Sequence, residues 1–285
     1  MVEEVAVPLE VRLRFGRAAV QVVADRIGVD LLHIKGDAVD PSLRPMRVGT
    51  DVDVLVRPAD VARLDRAIRL EGWKLYSTFA YGSPFGHAQT YLHDTWGYLD
   101  LHRAFPGIRL TPASAFDVLE RDGSVIDEVG VACRVPGIDA QAILLLLNAA
   151  RAGGRTDPDV EWIWGRASPD DRARFIRLGD ELRARVALAA ATGDLEEYRG
   201  SREYPLWKAI SEGGPRGAEW WGRIRAASSA REAITLVVRA PRVNVEHLRI
   251  DLGRAPTRRE VFREFLRRQR HAADEVREWA RRPRS

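Results

Sequence analysis

Two periods of hydrophobic and polar residues divide the first part of the chain into helices and strands. Apolar residues recur at helical spacing over 8–28, which predicts a first helix. A short apolar run at 29–36 predicts a buried strand, and a valine-rich run at 50–56 predicts another. Residues 57–73 then show the apolar stripe of an amphipathic helix. The pattern predicts the order helix, strand, loop, strand, helix, with at most a short helical turn in the loop.

Aromatic and β-branched residues predict strands in the next part of the chain. The runs at 74–82 and 88–94 predict two of them, and residues 96–105 alternate between apolar and polar side chains. A hairpin over 88–103 is expected to join the last two. Residues 124–137 predict either a further pair of short strands or one strand with an irregular lead-in.

The pattern changes after Pro136. From there the chain has helical periodicity and few strand signals, and no internal repeat is evident. We therefore predict an α+β protein with two domains. Residues 1–137 form a small mixed or antiparallel sheet flanked by helices, and residues 138–285 form a helical C-terminal domain.

Composition narrows the class of protein. The 285 residues are 45% hydrophobic and 30% charged, which is typical of a folded chain. Cys133 is the single cysteine, so an internal disulfide and a cysteine-based zinc site are excluded, and we expect this side chain to be buried. The first residues lack the features of a signal peptide, which predicts a cytoplasmic protein that does not act at a membrane. Nothing in the sequence predicts the oligomeric state.

The basic residues are almost all arginine. Lysine and arginine together number 45 against 41 acidic residues, which gives a formal net charge of +4. Arginine side chains suit phosphate oxygens, so the balance is compatible with a polyanionic substrate. An arginine-rich surface without such a role explains the charge equally well.

Two aspartates interrupt the valine-rich strand. Side chains alternate in a strand, so Asp51 and Asp53 share one face while the valines pack on the other. Two ionised carboxylates so close repel each other unless a cation lies between them, and a magnesium ion with nucleotide phosphates is a natural partner. The D-x-D pair by itself is a weak signal, since a solvent-facing strand edge also produces it.

Residues of the preceding loop are suited to phosphate binding. Gly36 ends the first strand directly after Lys35, which predicts a tight turn whose backbone amides can approach a phosphate. Arg44 and Arg47 follow in the same loop, near enough to contact the same phosphates.

A third acidic residue lies in the predicted hairpin. Asp100 and His102 share one face of the alternating strand. If that strand pairs with the D-x-D strand, Asp100 completes a metal-binding triad with Asp51 and Asp53. The histidine is either a contact to nucleotide or acceptor, or a hydrogen-bond partner of Asp100.

The motifs formed by these residues resemble those of a known protein superfamily. The stretch HIKGDAVDPSLRPMRVGTDVDVLV followed by YLDLH is similar to the nucleotidyltransferase fold of the DNA polymerase β superfamily. More narrowly, it resembles a bacterial group of uncharacterised nucleotidyltransferases with a KG, RP, D-x-D and DLH pattern. The resemblance covers residues 31–103 and implies a small mixed or antiparallel sheet flanked by helices.

The chain departs from the pattern of these proteins at three positions. Their glycine turn usually contains GG or GS, whereas this chain has Lys35, Gly36 and Asp37, so the phosphate contact is expected from Lys35 or Thr50. Arg103 replaces a tryptophan after DLH. Asn148 stands where the group often has a histidine.

The resemblance implies a magnesium-dependent transfer of a nucleoside monophosphate from a nucleoside triphosphate to an acceptor hydroxyl. ATP is one of the candidate nucleoside triphosphates. Asp51 and Asp53 would bridge two magnesium ions, and Asp100 would share one of them or accept the hydroxyl proton. The other phosphate- and nucleotide-contacting candidates are Lys35, Gly36, Arg44, Arg47, Thr50 and His102.

The acceptor stays open at this point. The basic composition allows tRNA, in which case the protein could be the toxin of a toxin–antitoxin pair. A small molecule, a peptide or a protein are the alternatives within the same reaction. A different class is a nucleotide-binding or interaction module without turnover, although all three carboxylates are present.

Overall fold

The computed structural model of the chain describes residues 7–43, 49–80, 85–214, 216–227, 229–239, 243, 245–252 and 254–281. The chain divides into two compact units. The first holds residues 1–145 and 167–183, and the second holds residues 146–166 and 184–285. Helix α4, Ile138–Ala152, runs from the first unit into the second. The predicted domain boundary near residue 137 stays a prediction.

The first unit contains two sheets and several helices. Its strands are β1 Leu31–His33, β2 Asp51–Val56, β3 Lys74–Ser77, β4 Ala88–His93, β5 Gly97–His102, β6 Ser124–Glu128 and β7 Val131–Val135. Its helices, besides the start of α4, are α1 Leu9–Arg26, α2 Val61–Leu70, α3 Pro112–Glu120 and α6 Pro169–Glu181. Every strand predicted from the alternation is present, with shorter bounds. The short helix α3 was not predicted.

The main sheet has five strands in the order β1-β2-β5-β4-β3. Strand β2 is antiparallel to β1 and parallel to β5, and β5 forms an antiparallel hairpin with β4. The hairpin agrees with the predicted one, because His93 pairs with Gly97 across the turn. The mixed sheet flanked by helices confirms the predicted fold class. Strands β6 and β7 form a separate two-stranded sheet.

One face of the main sheet is apolar and covered by helices. Val52, Val54 and Leu99 are fully buried there. Helices α1 and α2 supply Leu13 and Leu64 to the same core. Because side chains alternate along a strand, this packing turns the aspartates of β2 and β5 to the opposite face. Burial of the valines therefore fixes the orientation of the carboxylates.

The loop between β1 and β2 contains two short 3₁₀ turns, Gly36–Ala38 and Pro41–Leu43, in agreement with the short helical turn predicted there. Arg44 and Arg47, predicted to contact phosphates, lie outside the described residues. Cys133 is buried in β7, as expected from the sequence.

The second unit is helical in the part that the structure describes. Besides the end of α4 it contains α5 Pro158–Val160, α7 Arg185–Thr192, α8 Tyr204–Ser211, α9 Arg216–Ala226, α10 Ala230–Arg239, α11 Val245–Leu252 and α12 Arg258–Arg281. This agrees with the helical periodicity found after Pro136. Among the described residues, no helix is both long enough and apolar enough to span a bilayer.

Candidate active site

The parallel pairing of β2 with β5 brings the predicted carboxylates together. In its register Asp53 lies opposite Asp100, and Asp51 lies opposite Tyr98. Asp51 and Asp53 are two residues apart on one strand and share a face with Asp100. The paired segment on which the predicted triad depends is therefore present.

Asp53 is the most buried of the three carboxylates, and a cation already lies against it. The Lys35 Nζ atom is 2.6 Å from Asp53 Oδ1, and His102 Nε2 is 2.8 Å from the same oxygen. Burial alone would raise the pKa of Asp53, but the charge of Lys35 and the hydrogen bond from His102 lower it to about 2. Asp53 is therefore an ionised acceptor, and the His102 Nε2–H group donates to it.

The pKa of Asp100 is shifted in the opposite direction from that of Asp53. Burial raises its pKa, the charges of Asp53 and Asp51 add to the effect, and the result is a pKa of about 6. The Thr90 hydroxyl donates a hydrogen bond of 2.6 Å to Asp100 Oδ1 and lowers this pKa in part. Asp100 is thus more basic than an ordinary aspartate and is held in place by β4.

The donor atoms fit a hard divalent cation. Ligand atoms of Asp53, Asp100 and His102 lie within 4.8 Å of one another. Magnesium prefers oxygen ligands, and the His102 nitrogen faces Asp53, so the carboxylates are the better ligands and the imidazole orients one of them. The Lys35 ammonium beside Asp53 shows that this position accepts positive charge. Asp51 is outside this close group, yet its charge acts on Asp100.

The turn at Gly36 packs against the residues at the start of β2. Gly36 has φ +64°, a backbone conformation that residues other than glycine rarely adopt. A Cβ on Gly49 would lie 3.1 Å from the Gly36 Cα, so the two backbones are in close contact. The Asp37 carboxylate accepts a hydrogen bond from the Gly49 amide, which ties the turn to the strand. Thr50 follows, and its hydroxyl donates to Asp51.

Three features of the site were missed at the level of sequence. Thr90 could have been found, because the predicted hairpin turn sets the register that pairs it with Asp100. The bond from His102 to Asp53 could not, because it depends on the parallel pairing of β2 with β5. The third is the direct edge-to-face contact of Tyr76 with Tyr98, with ring centroids 5.4 Å apart. The sequence places both tyrosines in an aromatic cluster that either packs in the core and hairpin or stacks on a base, but it does not pair them. Tyr98 is 40% exposed.

Comparison with known proteins gives similarity in structure alone. No protein-family model matches the chain, and no curated protein sequence matches it.

Three solved structures are similar to part of the chain. The lincosamide antibiotic adenylyltransferase LnuA, solved with lincomycin bound, is 14% identical, with a TM-score of 0.33 over 57% of this chain and 94% of that one. An antigenic nucleotidyltransferase-like protein from Paracoccidioides brasiliensis is 13% identical, with a TM-score of 0.39 over 63% and 93%. The antibiotic-resistance factor ANT(2'')-Ia is 12% identical, with a TM-score of 0.38 over 66% and 93%.

Proposed function

We propose that the protein is a magnesium-dependent nucleotidyltransferase that moves a nucleoside monophosphate from a nucleoside triphosphate to an acceptor hydroxyl. The observation that carries this proposal is the register that sets Asp53 beside Asp100, with the Lys35 ammonium on the first of them. A pair of carboxylates at one point of a sheet, next to a glycine turn, suits a metal-bound triphosphate.

The carboxylates of the site have different roles in the proposed reaction. Asp51, Asp53 and Asp100 would hold the metal, which when bound neutralises the triphosphate and lowers the pKa of the acceptor hydroxyl. The acceptor oxygen forms a bond to the α-phosphorus, the bond to the β-phosphate oxygen breaks, and pyrophosphate leaves with the electron pair. Asp100, with its raised pKa, is the candidate to accept the hydroxyl proton.

The order of the strands supports an arrangement of the two substrates. Lys35 and Gly36 follow β1 on one side of the carboxylates, whereas Thr90 and Tyr76 belong to β4 and β3 on the other. A triphosphate bound by Lys35, Gly36 and the loop would therefore leave the β4–β3 side to the acceptor. His102 then acts as a support for Asp53 and not as a nucleotide contact.

The acceptor that this arrangement favours is a small molecule with an apolar or aromatic face. Tyr98 lies opposite Asp51 in the strand register, is partly exposed and packs edge-to-face with Tyr76. Two aromatic rings beside a reaction centre offer a surface for one ring or one apolar face. tRNA, in a toxin-like role, and protein are the alternative acceptors.

Label transfer tests the reaction. Wild-type protein is incubated with each α-labelled nucleoside triphosphate and magnesium, together with cell extract as acceptor source. We expect labelled product from the wild type, and at least a hundredfold less from Asp51→Asn and from Asp53→Asn. Asp94→Asn, at an exposed carboxylate paired with Lys74, is the matched control and is expected to keep activity.

Nucleotidyl transfer that survives both Asp51→Asn and Asp53→Asn would show that the proposed site is not the active site. Recovery of the label in RNA or in protein, and not among small molecules, would overturn the proposed acceptor class.

A substitution at Tyr98 tests the acceptor side. We expect Tyr98→Ala to raise the KM for the acceptor found in the labelling experiment about tenfold, because an aromatic stacking contact contributes about 1–3 kcal/mol. The KM for the nucleoside triphosphate should change less than twofold. Tyr98→Phe should resemble the wild type, and Trp221→Ala, at another exposed aromatic residue, is the control. An equal rise in both KM values in steady-state assays would argue against this acceptor side.

A further inference from the structure

The Lys35 side chain occupies an unexpected position for a phosphate-binding residue. It contacts Asp53, one of the carboxylates proposed to hold the metal, with Nζ 2.6 Å from Asp53 Oδ1. Only 15% of the Lys35 side chain and 3% of the Asp53 side chain are exposed, so the contact is shielded from water. Lys35 also directly precedes the turn at Gly36. One ammonium group can therefore act at either of two places, the carboxylate or the phosphates.

We propose that Lys35 is an internal counter-ion that competes with the divalent cation at Asp53, so that metal binds tightly only together with a triphosphate. This inference rests on the proposed function. In the metal-free protein the ammonium offsets the charge of Asp53, beside which Asp51 and Asp100 add further negative charge. When metal and triphosphate bind, the ammonium moves to the phosphate oxygens.

The electrostatics of the pair support this exchange. A lysine and a divalent cation at one carboxylate repel each other, and burial strengthens the repulsion because water screens it less. A triphosphate supplies new oxygen acceptors for the ammonium, and lysine is a suitable point charge for them. The side chain is a flexible four-carbon stem, so it can change partners without a change of the backbone. His102 keeps its hydrogen bond and holds Asp53 in place meanwhile.

The exchange predicts two effects of opposite sign for one substitution. Removing the ammonium removes the competitor of the metal, and it also removes a contact to the triphosphate. A lysine that only stabilises the local fold would, when replaced, weaken both binding events together. The sign of the two changes therefore separates the proposal from a structural role.

Binding of Mn²⁺ alone, followed by electron paramagnetic resonance, tests the first effect. Without nucleotide, we expect Lys35→Met to bind Mn²⁺ about tenfold more tightly than the wild type, which corresponds to about 1.4 kcal/mol. Lys35→Arg keeps the charge and should bind Mn²⁺ like the wild type. Lys74→Met removes an exposed lysine that pairs with Asp94 and is the matched control. Circular dichroism shows that each variant is folded, and Lys35→Gln replaces Lys35→Met if the latter does not fold.

Binding of a fluorescent nucleoside triphosphate at saturating magnesium tests the second effect. We expect Lys35→Met to bind it about tenfold more weakly than the wild type. Equal or weaker Mn²⁺ binding by Lys35→Met, with the wild type binding metal, would overturn the role of Lys35 and leave the proposed function intact. Unchanged nucleotide affinity would also overturn it. Folded proteins that bind no Mn²⁺, with or without nucleotide, would overturn the metal site and hence the proposed function itself.

Discussion

Replacing Asp100 by asparagine is expected to lower the rate of nucleotidyl transfer by about 10²–10⁴-fold and to stabilise the metal-free protein. The loss of rate follows because asparagine can neither accept the acceptor proton nor bind metal as a carboxylate does. The amide oxygen of asparagine still accepts the hydrogen bond from Thr90, so the local structure should be kept. Asp100→Asn is thus a substitution that separates activity from folding.

The gain in stability follows from the raised pKa of Asp100. Its pKa is about 6 in the folded protein against 3.8 for an ordinary aspartate, because burial and the neighbouring carboxylates disfavour the charge. The folded state therefore holds its proton over a range in which the unfolded state has lost it. As the pH rises through that range, the folded state loses stability. At pH 7.5 the cost is at most about 3 kcal/mol, since one pKa unit corresponds to 1.36 kcal/mol.

Chemical unfolding in the presence of EDTA measures this effect. Asp100→Asn should be more stable than the wild type by about 2–3 kcal/mol at pH 7.5, and the difference should fall by about half at pH 5. Magnesium with nucleotide should narrow the difference, because ligand that binds the folded wild type stabilises it. The matched control Asp94→Asn, at an exposed carboxylate, should leave the transfer rate unchanged. A variant that is less stable than the wild type at both pH values would contradict the electrostatic explanation.

Removal of one partner of the buried ion pair between Arg17 and Glu128 is expected to destabilise the first unit by about 3–5 kcal/mol. Arg17 lies on α1 and donates from Nε to Glu128 on β6 at 2.7 Å. Their side chains are 2% and 5% exposed. Arg14 donates a second hydrogen bond of 2.9 Å to the same carboxylate. Replacing Arg17 leaves the buried Glu128 carboxylate with the more exposed Arg14 as its ion-pair partner, and replacing Glu128 leaves the buried Arg17 with Asp37 at 4.0 Å.

A double-mutant cycle measures the coupling of this pair. Arg17→Met and Glu128→Leu should each give the large loss, whereas the double variant should lose much less than the sum, since no buried charge is then left alone. Urea unfolding supplies the free energies. Arg121→Met breaks an exposed pair with Glu181 and should be nearly neutral. Additive losses in the double variant would show that the two side chains stabilise the fold independently.

The sequence predicts elements well where one period dominates. Val52 and Val54 alternate with Asp51 and Asp53, and α2 has a single apolar stripe, so both elements follow from local patterns. The hairpin of β4 and β5 is also local, because a short turn fixes its register. By contrast, α3 is a short helix in a stretch without a strong period, and it was not predicted.

The candidate site was predictable in part for the same reason. Alternation sets Asp51 and Asp53 on one face, and Asp100 with His102 on another strand. That the two strands are neighbours was a hypothesis at the level of the sequence, and the resemblance to nucleotidyltransferases agreed with it. Their parallel register, which sets Asp53 opposite Asp100, comes from the tertiary structure.

The sequence by itself therefore determined the strands, the helices with a strong apolar period, the change to a helical half and the faces on which the carboxylates lie. Only the tertiary structure decided the long-range partners: Lys35 and His102 on Asp53, and Arg17 on Glu128, 111 residues away. The physical reason is the range of the forces. The periodicity of a helix or strand depends only on residues that are close in the sequence. An ion pair or a metal site forms between side chains that are distant in the sequence and that burial of the core brings together.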